Sequence, residues 1–204
     1  MVIAQQSSAG KGIGMSKSAL VVVDAQRDFC EGGALAAANT LSLLPPLQKF
    51  ITEAKRQGVL VVFTQDWHPA DHSSFKANGG PWPVHCVAGT PGAELMTPLQ
   101  AGQGDVVIHK GVGINGAGYS GFDETALQRQ LQGFGITRVG VAGIATEYCV
   151  RATALDALKA SFDTTVLEDM IRAVQEKEAP HVLAELREVG VKLSSAAAWL
   201  AGAK

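Results

Sequence analysis

The strongest constraint on the fold is an alternation along the chain between short apolar runs, rich in β-branched residues, and longer stretches of helical periodicity. ALVVVD (19–24), VLVVFTQD (59–66), DVVIHK (105–110), RVGVAG (138–143) and TTVLED (164–169) lack the polar alternation of a half-exposed strand. Each therefore reads as a strand buried on both faces. VKLSS (191–195) reads as a sixth, edge strand. Helical patterns fall at LPPLQKFITEAKRQG (44–58), with its prolines near the start and Gly58 as the stop, and at DETALQRQLQGFG (123–135). Two more cover 146–160 and, as the final helix, 177–189. This order predicts a three-layer α/β/α fold, an open and mostly parallel sheet of about six strands with helices on both faces.

A chain of 204 residues is long enough for one full core. We expect a single domain over 18–204, preceded by a polar, Gly/Ser-bearing and loose lead-in over 1–17. Net charge is −2, from 17 basic and 19 acidic residues with no long run of either sign, so neither nucleic acid nor a membrane surface is the expected partner. A small molecule is. Three cysteines and no CxxC argue for reduced thiols and a cytoplasmic address. No apolar stretch reaches the ~20 residues of a membrane span. The N-terminus lacks the apolar centre of a signal peptide. The irregular stretch 67–104 carries two Trp and five Pro, and loops of that length in compact domains are usually functional.

Ligands of open parallel sheets bind beyond the carboxyl ends of the strands. Asp24 ends the first run, Asp66 the second and Lys110 the third, and Cys149 lies just past the fourth, so four chemically capable side chains share one rim. Cys149 is either a small buried apolar group or a nucleophile. In the first turn of a helix starting near Thr146, the dipole and the free N–H groups favour its thiolate, and Thr146 with the following Glu147 suits N-terminal capping. Those amides could hold an oxyanion. Lys110 is a solvated strand-end lysine or a cation lowering the thiol pKa. Asp24 is a turn residue or a proton shuttle between thiol and leaving amine.

A second constellation lies in TQDWHPADHSSF and PWPVHC. Asp66, His68 and His85 together offer one carboxylate and two imidazoles with coordination positions left open, as a catalytic or substrate-binding metal site requires. His72 reads as a loop-structuring residue beside them, His109 as a packed strand residue, and His181 as part of the last helix. Cys30 and Cys86 read as packing thiols. Phe29, Trp82 and Tyr119 follow the first three strands, either as loop anchors or as a slot for a planar ligand.

With these residues in place, the chain resembles the nicotinamidase branch of the isochorismatase-like cysteine hydrolases. The resemblance rests on VVVDAQRDFC, TQDWHPADHSSF, GGPWPVHCVAGTPGAEL, HKG, GYSGF and GIATEYCV, in that order over roughly residues 18–170. The Asp, Lys and Cys set marks the superfamily, whereas DWHP followed by WPVHC marks the branch and is more specific. By that resemblance the chain converts nicotinamide to nicotinate and ammonia through a thioester, in NAD salvage, and also accepts pyrazinamide. Cys149 is then the nucleophile, Asp24 the general base and acid, and Lys110 their supporting cation. Asp66, His68 and His85 hold one divalent metal, zinc first and iron or manganese as alternatives, with His72 left open as a further ligand. The ring nitrogen of nicotinamide binds that metal. Phe29 and Trp82 sandwich the pyridine with Tyr119 close by, and a cis Ile144–Ala145 peptide aims the Ala145 and Cys149 amides into an oxyanion hole. Family members suggest a homo-oligomer. The rivals are a neighbouring amidase of the same superfamily, a nucleotide-binding domain (for which DAQRDFCEGG lacks the glycine fingerprint) and a non-catalytic scaffold.

Overall fold

Six strands form one parallel sheet in the computed structural model, which describes residues 17–116 and 118–202. They are β1 (Lys17–Val23), β2 (Leu60–Asp66), β3 (Val106–Lys110), β4 (Ile136–Ile144), β5 (Asp163–Arg172) and β6 (Lys192–Ser194). Their spatial order is β3-β2-β1-β4-β5-β6 and every pairing is parallel. Of the expected lead-in, residues 1–16 lie outside the described residues, and Lys17 already opens β1.

Alternate residues of β1 feed two separate cores, which is why its run shows no polar alternation. Leu20 and Val22 pack with α1 (Thr40–Arg56) and α5 (Ala196–Ala201). Ala19, Val21 and Val23 pack with α2 (Leu127–Gly133), α3 (Arg151–Lys159) and α4 (Ala179–Glu188). Helices thus cover both faces, and the three layers expected from the alternation are present.

Three local expectations need correction. α1 begins at Thr40 rather than 44, so Pro45 and Pro46 sit inside it. Their fixed φ suits a helix, and Glu31 satisfies the exposed end by accepting from the Leu41 N–H at 2.8 Å and from the Thr40 hydroxyl. The helix over 179–188 is not the last. α5 follows β6, with the Ser195 hydroxyl accepting from the Ala198 N–H at 3.3 Å and Trp199 lying over Gly140, where a Cβ would come within 2.7 Å of the indole. His109 is not packed inside a layer: it is exposed on β3 and stacked on Trp67 at 4.2 Å between ring centroids.

The sheet reverses its winding between β1 and β4, the position where open α/β sheets place ligands. The strands close tightly there. Gly143 adopts φ +115, and a Cβ on it would stand 2.0 Å from the Val23 carbonyl oxygen, so this crossing accepts only glycine. The long 67–104 segment folds back over the same edge. It is pinned by bridges between His68 and Val87, between Phe75 and Trp82, and between Gln26 and Leu95.

Candidate active site

Asp24 follows β1 with φ +45, its N–H donating to the Thr64 carbonyl of β2 at 3.2 Å. Lys110, at the end of β3, reaches across β2 to meet it. Its Nζ lies 2.8 Å from Asp24 Oδ2 and 2.5 Å from Asp66 Oδ1, donates to the Gly118 carbonyl at 2.8 Å, and is 3.5 Å from Cys149 Sγ. Lys110 is 1% exposed and Asp24 wholly buried. One ammonium therefore touches Asp24, Asp66 and the Cys149 thiol.

Burial penalises every charge in this cluster, and the neighbours decide the outcome. Burial pulls the Lys110 ammonium down, but Asp24 and Asp66 outweigh it and hold the group well above ordinary lysine. For Asp66 burial pushes up, yet Lys110 and His68 bring the carboxyl down to about 2. For Asp24 burial and the Asp66 charge prevail over Lys110, leaving it above the usual carboxylate value. Burial likewise lifts the Cys149 thiol well above its ordinary range, against the pull of Lys110. Burial thus works against the low-pKa thiolate expected at a helix start and favours a thiol that hands its proton to a base.

The turn carrying Cys149 explains part of this. Residues Thr146–Val150 form one wide π turn before α3, closed by the Val150 N–H donating to the Ala145 carbonyl at 3.1 Å. No side chain caps it. Thr146 Oγ1 is buried without a hydrogen-bond partner among the described residues, which overturns the expected Thr–Glu capping. Glu147 turns away and accepts from the Val174 and Gln175 N–H groups at 3.1 and 2.7 Å, tying the nucleophile turn to the segment after β5. The Ile144–Ala145 peptide is cis.

Asp66, His68 and His85 converge beside Lys110, each offering a ligand atom within 4.8 Å of the others. Nε2 of His68 lies 3.4 Å and Nε2 of His85 4.0 Å from Asp66 Oδ2. Both rings are held from behind. Nδ1 of His68 meets the Gly111 carbonyl at 2.9 Å and Nδ1 of His85 the Pro83 carbonyl at 2.8 Å, so each Nδ1 carries the proton and each Nε2 keeps a free lone pair. Gly111, at φ +60, is required here because a Cβ would lie 2.4 Å from His68 Cε1. An anionic oxygen and two oriented imidazoles fit a divalent transition metal. His72 stacks on His68 at 4.1 Å, but its Nδ1 accepts from the Ser74 N–H at 3.3 Å. Nδ1 also lies 2.7 Å from the Ser74 hydroxyl, the buried Nε2 has no hydrogen-bond partner among the described residues, and His72 is not one of the three residues whose ligand atoms converge.

Cys149, Asp66 and His85 open into one cavity together with Phe29, Trp82, Tyr119, Ala145 and Tyr148, closed by Leu35, Ala37, Ile144 and Val174. Trp82 Nε1–H donates to the Tyr119 hydroxyl at 3.1 Å, and its ring meets Tyr148 edge-on at 5.2 Å. Phe29 packs against His85 at 5.6 Å. Every expected site residue thus belongs to one connected group, with Asp24, His68 and Lys110 behind the cavity wall. Cys30 and Cys86 are buried and free, and burial raises both thiols.

Sequence reasoning missed three contributors. Tyr148 borders the nucleophile and was read only as part of a helix. Gln26 is wholly buried and pairs with Asp66 in both directions, its Nε2 donating to the Asp66 carbonyl and its Oε1 accepting from the Asp66 N–H, each at 2.8 Å. Thr64 looked like an ordinary strand residue, but its hydroxyl donates to Asp24 Oδ1 at 2.7 Å.

A profile of the isochorismatase domain matches residues 18–198. Nicotinamidase/pyrazinamidase of Mycobacterium tuberculosis is 40% identical over 182 residues, covering 86% of this chain and 97% of that protein. The crystal structure of Pyrococcus horikoshii pyrazinamidase in complex with zinc superposes with a TM-score of 0.85 at 43% identity, covering 88% of this chain and 99% of that one. The crystal structure of PnC1 from L. infantum in complex with nicotinate gives a TM-score of 0.81 at 37% identity over 90% of this chain and 95% of that one.

Proposed function

The chain belongs to the isochorismatase family, and on that premise we propose that it is a nicotinamidase, hydrolysing nicotinamide to nicotinate and ammonia through a thioester on Cys149. The observation that carries this reading is a single aromatic-walled cavity into which both Cys149 and two members of the metal-ligand set open. A planar heteroaromatic amide fits that combination: one end meets the metal site and the other the thiol.

The neutral thiol sets the order of events. Asp24 removes the proton from Cys149 Sγ, with Lys110 stabilising the new thiolate 3.5 Å away. Sulfur attacks the carboxamide carbon, and the amides of Ala145 and Cys149 receive the oxyanion. Asp24 then returns its proton to the amide nitrogen, the C–N bond breaks, ammonia leaves and a thioester remains. Water attacks the thioester as Asp24 takes one of its protons, the C–S bond breaks as Asp24 passes that proton to sulfur, and the product leaves as nicotinate with its acid proton released to solvent. Asp24 is well suited to this exchange because burial keeps its carboxyl above the usual range. Phe29 and Trp82 hold the pyridine between them, with Tyr119 and Tyr148 at its edge.

Asp66, His68 and His85 are the residues that would hold one divalent ion, and when bound it supplies a Lewis-acidic anchor for the ring nitrogen of the substrate. Zinc is our first choice, supported by the zinc-bound Pyrococcus relative, while iron and manganese suit the same donor set. We place the enzyme in NAD salvage, with pyrazinamide as a further substrate, as a cytoplasmic homo-oligomer. Free buried cysteines support that address, and no helix among the described residues is long and apolar enough to cross a membrane. Ammonia release from nicotinamide and pyrazinamide by zinc-loaded protein tests the reading. Release from both is expected, and release from neither would overturn it.

A further inference from the structure

We propose that Thr64 is a positioning residue for the reaction: its hydroxyl fixes the Asp24 carboxylate in the orientation that passes protons to and from Cys149. The proposal rests on the amidase reading of Asp24 and Cys149.

Val23 and Thr64 are partners in the β1–β2 register, so the chain just past β1 turns directly over Thr64. Asp24 occupies left-handed backbone there, and its N–H is shared between the Thr64 carbonyl at 3.2 Å and the Thr64 hydroxyl oxygen at 3.3 Å. With a lone pair so engaged, the hydroxyl hydrogen points to Asp24 Oδ1 at 2.7 Å. Residue 64 therefore grips both the backbone and the side chain of the base.

The remaining geometry shows why a threonine suits the position. A Cβ on Gly121 would come within 2.9 Å of Thr64 Cγ2, so the methyl group fills the space that glycine leaves open. Wedged there, the branched side chain is held in one rotamer and the hydroxyl stays on Asp24. Thr64 and Asp24 are both wholly buried, so no water substitutes for this donor. Because Oδ1 is committed to Thr64, Oδ2 is left for Lys110 at 2.8 Å. Without the hydroxyl the carboxylate loses the anchor on Oδ1 that holds it against rotation about its terminal torsion.

Thr64→Val keeps the methyl group and the volume but removes the donor. In zinc-loaded protein we expect kcat for nicotinamide to fall about 100-fold, the low end of what a positioned acid–base group supplies. KM and zinc content should stay at the wild-type values, because the lost interaction acts on proton transfer and not on substrate binding. Thr64→Ser should recover most of the loss. A kcat equal to wild type in Thr64→Val would overturn the proposal. If that variant loses zinc or fails to fold, Thr64→Ser and Thr64→Ala, which both lack the methyl, differ only in the hydroxyl. Equal kcat for that pair would overturn it as well. Alkylation of Cys149 by iodoacetamide, followed by mass spectrometry, needs no amide substrate and should be severalfold slower in Thr64→Val. It therefore tests Thr64 even if wild-type protein releases no ammonia from nicotinamide, a result that would sink the substrate reading alone.

Discussion

Lys110 Nζ stands 2.8 Å from Asp24 Oδ2 in a contact closed to solvent, and the same nitrogen is 2.5 Å from Asp66 Oδ1. One side chain thus pairs with two buried carboxylates to which the proposed reaction gives different tasks, proton transfer and metal binding. Removing one partner of a buried ion pair leaves an uncompensated charge, at a cost of about 3–5 kcal/mol. Lys110→Met should lower the unfolding free energy by about that amount and abolish turnover. Chemical denaturation of the metal-free proteins checks this, and wild-type stability in the variant would contradict the role given to Lys110.

Cys149 gives a prediction on the alkaline side. Burial raises its thiol well above the ordinary value of 9.0, so at rest the group stays protonated where an exposed cysteine is half ionised. The rate of iodoacetamide labelling of the Cys149 peptide, without substrate, should still be climbing above pH 9. A rate already on its plateau at pH 7 would mean a resting thiolate and would remove the need for Asp24 as base.

The acid limb depends on Asp66. Its folded carboxyl is lowered from 3.8 to about 2, so the unfolded chain takes up the proton first as pH falls. The stabilisation is therefore full above the unfolded value and disappears as pH drops through the folded one. In metal-free protein, the stability advantage of wild type over Asp66→Asn should shrink steadily from pH 5 downwards. An advantage that grows on acidification would give the linkage the wrong sign.

His85→Ala removes one imidazole while leaving the rest of the cavity lining in place. Disturbing even the outer partners of a metal ligand costs 10–100-fold in affinity, so loss of the ligand itself should weaken zinc binding by at least about 100-fold. Competition with a chelator measures this. Wild-type affinity would take His85 out of the ligand set.

Much of this site was legible because parallel strands deliver their last residues to one edge: Asp66 and Lys110 stand at strand ends, and Asp24 follows one directly. The clustering of Asp66, His68 and His85 was also visible, since Asp66 and His68 are two residues apart and motif order linked them to His85. What stayed hidden depends on contacts between distant segments. Thr64 is 40 residues from Asp24, and nothing in VVFTQD separates a base-orienting hydroxyl from a β-branched strand residue. Glu147 looked like a capping residue because its partners at 174 and 175 arrive only through the fold. The burial that works against a Cys149 thiolate was hidden for a related reason. Helix-start position was readable from sequence, whereas the burial of Cys149, which is 5% exposed, was not. α5 was missed because six residues are too few for periodicity to register.

The most direct measurement is rapid quenching of zinc-loaded enzyme with nicotinamide, followed by mass spectrometry of intact protein and peptides. We expect a transient gain of one nicotinoyl group, located on the Cys149 peptide and absent from Cys149→Ala, which should release no ammonia. Ammonia release by Cys149→Ala, or a nicotinoyl group on any other residue, would contradict the assignment of Cys149 as the nucleophile.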